Sequence, residues 1–63
     1  MLRVGDSVRH RCWRDPRRVG RVARVYVQVF EFTKKSINVA EVEWPRPEGN
    51  LSHDARFLER VDP

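Results

Sequence analysis

Val25-Tyr26-Val27-Gln28-Val29-Phe30-Glu31-Phe32 is the stretch that decides the fold. β-branched and aromatic residues dominate it, and alternation puts Val25, Val27 and Val29 on one side and Tyr26, Phe30 and Phe32 on the other. A strand with apolar side chains on both faces needs cover on both. Thr33-Lys34-Lys35-Ser36 then reads as a polar four-residue connection, and Ile37 to Trp44 returns as the partner strand of a long hairpin.

Upstream, Val22 and Val25 stand three residues apart, which a flat strand would place on opposite faces. A bulge near Ala23 or Arg24 brings them together. Val4-Gly5-Asp6 signals a turn, and Ser7 to Cys12 alternates as a first strand. Trp13-Arg14-Asp15-Pro16-Arg17-Arg18 breaks the alternation and reads as a loop, with Pro16 holding Asp15 extended. Downstream, Trp44 to Asn50 is a loop with Pro47 suited to the second position of a type I turn. Ser52 is placed to cap one helical or 3₁₀ turn, and Leu58 to Val61 supplies the last strand. The sum is an all-β chain, a small five-stranded, partly open barrel with one 3₁₀ turn before the last strand, as a single domain over 1–63.

That order, with Val4-Gly5-Asp6-Ser7-Val8-Arg9-His10, Gly20-Arg21-Val22-Ala23-Arg24-Val25 and Leu58-Glu59-Arg60-Val61, resembles the SH3-like barrel superfamily. It looks most like the KOW and Tudor-like members, including the domain that ends UvrD-type helicases. The resemblance covers most of the chain and implies docking on nucleic acid or on a protein of transcription, repair or the ribosome. Where those barrels carry a glycine-rich first loop, this chain carries arginines. Val27-Gln28-Val29-Phe30 also resembles the Val-Gln-Ile-Tyr motif of the type II dihydrofolate reductases. It differs in lacking the tyrosine and in lying far from the closing Leu-Glu-Arg strand, so reductase activity is a distant alternative.

Charge points to a partner. Met1 to Arg24 holds eight arginines against Asp6 and Asp15, a net +6, whereas the remainder carries −2, giving +4 for the 63 residues. Arginine matches phosphate geometry in bidentate fashion and stacks on rings, so one end of the molecule should attract polyanions. Arg9, Arg11, Trp13, Arg14, Arg17, Arg18 and Arg21 are the expected nucleic-acid site, DNA or RNA, on the general recipe of cationic groove plus stacking ring. The alternative is a protein adaptor that uses Tyr26, Phe30, Phe32 and Trp44, or that self-associates as a homo-oligomer through Val25 to Phe32. A methyl-lysine cage of Trp13, Tyr26, Trp44 and Phe57 would need rings converging on one point, which spacing cannot show.

Catalysis finds little support. His10, Cys12 and His53 lack an orienting third group, and His10-x-Cys12 with His53 and Asp54 does not match structural zinc spacing. The expectation is a non-enzyme with no metal and no cofactor. The single cysteine excludes an intrachain disulfide, and no apolar run approaches a membrane span, so a cytoplasmic protein with no membrane partner is expected.

Overall fold

The computed structural model describes residues 2–15 and 17–61. Five strands form one antiparallel sheet: β1 (Ser7–His10), β2 (Gly20–Phe30), β3 (Lys35–Glu43), β4 (Asn50–Asp54) and β5 (Leu58–Arg60). Their order is β4-β3-β2-β1-β5, and the sheet does not close on itself. A 3₁₀ turn, η1 (Ala55–Phe57), links the two edge strands, so the fold class read from the sequence is the one found.

The bulge falls where Val22 and Val25 require it. β2 pairs with β3 from Arg21↔Glu43 to Phe30↔Lys35, with the register shifting between Val22 and Arg24. The extra residue turns Val25 back to the inner face, where it packs against a core of Val8, Val22, Ala40, Val42, Trp44 and Leu58. Gly20 lies inside this core because nothing larger fits. A Cβ there would stand 2.5 Å from Val42 Cγ1, 2.7 Å from Trp44 Cε3 and 2.9 Å from the Glu43 carbonyl oxygen. Gly5, by contrast, is needed for its positive φ of 94°, in a turn closed by Asp6 N–H on the Arg3 carbonyl at 3.0 Å.

β1 stops at His10 and not Cys12, Asn50 opens β4 instead of ending the loop, and three further details differ from the sequence reading. The hairpin turn is 31–34, not 33–36, so Phe32 is a turn residue and not a strand residue. Lys34 takes a φ of 54° and donates its N–H to the Phe30 carbonyl at 2.8 Å, which closes the turn early. η1 is capped by Asp54, whose carboxylate accepts from Arg56 N–H at 3.0 Å, because Ser52 is already paired in β4 opposite Glu41. The Arg46–Pro47 peptide is cis, whereas a type I turn with Pro47 at its second position has it trans.

The hairpin outruns the rest of the sheet. β1 reaches β2 only at Gly20 and Arg21, and β4 reaches β3 only as far as Val39, so the outer part of the hairpin stands clear as an arm. The molecule is accordingly elongated, 37 × 20 × 17 Å.

Candidate functional site

One end of the sheet gathers the rings. Trp44 follows β3 and is buried, and its indole N–H donates to His53 Nε2 at 2.9 Å. Trp13, from the β1–β2 loop, packs on Trp44 at 4.5 Å between centroids. His10, at the end of β1, lies within 13° of parallel to Trp13 and 11° of parallel to Phe57, at 5.0 and 6.0 Å. His53 meets His10, Trp13 and Trp44 edge-on. These contacts come from β1, the β1–β2 loop, the residue after β3, β4 and η1, so the cluster exists only in the folded chain. Phe57 is its exposed member, 43% accessible, with the Arg56 guanidinium 5.7 Å from its ring centroid.

The imidazoles are engaged by structural donors. Burial lowers the His53 pKa, with the neighbouring His10 adding to the effect, and the neutral ring that results keeps Nε2 free to accept the Trp44 proton. His10 Nδ1 accepts from Cys12 N–H at 3.1 Å, so that nitrogen is not poised to take a thiol proton. Cys12 itself is exposed and free. Among the described residues no three His, Cys, Asp or Glu side chains come together as metal ligands, and no helix is long and apolar enough to cross a membrane.

Two loops meet over this cluster. Arg18 forms a partly buried ion pair with Glu48 and donates from Nη2 to the Pro45 carbonyl at 3.1 Å, tying the β1–β2 loop to the β3–β4 loop. Arg18 is therefore a clip, and its Nε is enclosed with no hydrogen-bond partner among the described residues. The tie brings in Arg46, which the sequence did not mark because it lies outside the arginine-rich third. Arginines now flank the ring cluster in sequence: Arg11 follows His10, Arg14 follows Trp13, Arg46 is two residues past Trp44, and Arg56 precedes Phe57.

The expected nucleic-acid residues thus separate into groups. Arg11 and Arg14 are exposed, next in sequence to His10 and Trp13, and form no ion pair among the described residues, although the Arg11 charge is near enough to Glu59 to help lower its pKa. Arg17 reaches Asp15 at 3.5 Å but keeps its side chain 91% accessible. Asp15 also accepts from the Arg17 backbone N–H, which first of all holds its carboxyl below the usual carboxylate range. Arg9 lies on the outer face against Glu59, at 3.2 Å, and that hydrogen bond lowers the Glu59 pKa. Arg21, also on the outer face, stands opposite Glu43. Trp13 is half-buried in the cluster rather than presented alone.

Of the expected protein-contact residues, Trp44 requires correction. It is 5% accessible and part of the core, so it has no surface to offer a partner. Phe30 and Phe32 are exposed, Phe32 fully at 104%. Tyr26 is half-buried on the outer face under the Arg24 guanidinium, 4.7 Å from the ring centroid, which removes it from any cage with Trp13 and Phe57.

No protein-family model, curated protein or solved structure matches the chain.

Proposed function

We propose that this protein is a non-catalytic module that binds nucleic acid at the clipped-loop end of the sheet. Arg11, Arg14, Arg17 and Arg46 hold phosphates there, and Phe57 with Arg56 offers a surface on which a base stacks. The observation that carries the reading is the Arg18 clip, which joins two loops into one arginine-bordered rim over packed rings. The resemblance of the sequence motifs to KOW and Tudor-like barrels, which implies docking on nucleic acid, supports the same reading. Arg9 and Arg21 leave the proposed site, because both face carboxylates on the outer surface.

The test is a titration of a fluorescein-labelled single strand of about 16 nucleotides, read by anisotropy at several salt concentrations. Each phosphate contact on a single strand contributes about 0.7 to the slope of log affinity against log salt. Replacing Arg11, Arg14 and Arg46 by alanine should lower that slope by about 2, hence affinity by about 100-fold at ~0.1 M salt relative to ~1 M. The pair Arg9→Ala, Arg24→Ala on the outer face is the control and should change the slope by less. An unchanged slope in the triple variant rules this site out. A second reading, a protein adaptor, is favoured by the exposed hairpin arm.

A further inference from the structure

We propose that a second copy of this chain pairs with the free edge of β2, antiparallel and centred on Val27, to make one continuous sheet across a two-fold axis. The backbone supports it first. Val22 donates its N–H to the Asp6 carbonyl and accepts from Gly5 N–H, both on the side of β2 away from β3. Alternate residues of an antiparallel strand address alternate neighbours, and the bulge at Ala23 shifts the count by one. Val25, Val27 and Val29 therefore point their N–H and C=O groups to the same side as Val22. No strand pairs with them there among the described residues. The Phe30 carbonyl, which accepts within the hairpin turn, fits the same alternation.

Such an edge is a template for strand addition, and proteins usually blunt one with charge, proline or a covering element. Here Val25-Tyr26-Val27-Gln28-Val29-Phe30 has neither a charge nor a proline, in a chain that is 35% charged. The nearest bulge lies before the segment and not within it.

The occupant follows from what the edge complements. A two-fold centred on Val27 sets Val25 against Val29 of the other copy and Tyr26 against Gln28. Arg24, which lies over Tyr26 and 3.9 Å from Glu41 of its own chain, falls opposite Phe30 of the other copy, and Glu31 follows Phe30 into the turn, so the two charges that flank the segment, of opposite sign, come to the same end of the paired strands without facing each other directly. On the inner face, Val29 of the second copy comes to the mouth of an open cleft lined by Leu2, Val25 and Leu58, and both Val27 and Val29 are exposed in the single chain. An unrelated extended segment would gain the backbone hydrogen bonds but has no reason to supply this charge register. A self-pair supplies it twice.

The experiment is sedimentation of the full chain from about 1 to ~100 μM, a range in which a stable dimer is concentration-dependent and visible. The wild type should be dimeric at the upper end. Val27→Lys places two ammonium groups across the axis and should raise the dissociation constant more than tenfold, whereas Phe32→Ser at the turn should leave it unchanged. A monomeric wild type at ~100 μM overturns the proposal and leaves the edge to a foreign strand. Loss of the dimer in Phe32→Ser but not in Val27→Lys also overturns it, in favour of a sticky turn. Should Val27→Lys fail to fold, oxidation decides. With Cys12→Ser as background, Val27→Cys should form an interchain disulfide, since paired residues lie about 5.5 Å apart between Cα atoms. Val4→Cys, exposed elsewhere, should not, and equal cross-linking of the two overturns the register.

Discussion

Replacing Gly20 by alanine is the smallest change that tests how the sheet and the ring cluster depend on each other. The added methyl would lie 2.5 Å from Val42 Cγ1, 2.7 Å from Trp44 Cε3 and 2.9 Å from the Glu43 carbonyl oxygen. The φ of Gly20 is not in the left-handed region, so the penalty is steric and not conformational. A rotamer change at Val42 could relieve the first contact, but the last is with backbone that is itself paired to β2. Overpacking of this kind costs about 1–3 kcal/mol, and the backbone clash argues for the upper end. Alanine restricts the unfolded chain and returns about 0.4–1 kcal/mol, leaving a net loss of about 2 kcal/mol.

For a domain this small, stability rarely exceeds ~3–5 kcal/mol. From ~3 kcal/mol the variant would retain ~1, and about 15% of molecules would be unfolded in water. Urea denaturation followed by tryptophan fluorescence measures this directly. With a slope of about 1 kcal/mol per molar, the midpoint should fall by about 2 M. Trp44 must also shift, so native-state fluorescence should change before any urea is added. A variant with the native midpoint and spectrum would refute the claim that β2 and Trp44 touch through Gly20.

Three further outcomes are expected. His53 has a lowered pKa in the fold, so the unfolded chain takes up its proton first. Its contribution is intact above about pH 6.5, declines as the pH falls below that value, and is lost once the pH passes the lower folded pKa. Urea midpoints at about pH 7.5 and 5.5 should differ in the wild type and converge in His53→Gln, whose amide oxygen can still accept from Trp44. Arg18→Ala and Glu48→Ala in a double-mutant cycle should show a coupling of about 1 kcal/mol, the upper end for ion pairs near a surface, because both side chains are largely covered. Zero coupling would mean that the Arg18–Glu48 pair does not hold the loops together and that the tie rests on the Pro45 carbonyl alone. Trp44→Phe removes the donor to His53 together with the pyrrole half of a buried indole, and should cost more than the about 1 kcal/mol of a hydrogen bond alone; a variant as stable as the wild type would refute both the bond and the burial.

The hairpin, the bulge and the succession of elements along the chain were legible because each rests on a local pattern: alternation over Val25 to Phe32, the three-residue offset of Val22 and Val25, and turn residues between strands. The early turn was not. Phe32 has the composition of a strand residue, but the left-handed Lys34 closes the loop before Phe32 can pair. Ser52 and Asp54 are both good caps, and only the β3–β4 register, a long-range fact, chooses between them. The candidate site was legible as a charge excess but not as a surface. Arg9 is matched by Glu59, fifty residues away, and Arg18 by Glu48, and no spacing rule predicts such pairs. Trp44 was misplaced for a related reason. Pro45 and Pro47 after it suggested an exposed loop, yet the chain turns only after burying it.

The two indoles, which are the only tryptophans in the chain, sit 4.5 Å apart with planes tilted by 44°. Chromophores so close and so inclined share their electronic excitations, and the coupling gives a circular-dichroism signal set by their mutual angle. Anything that settles on the arginine rim or loosens the Arg18 tie should alter that angle, so occupancy is readable optically without attaching a dye.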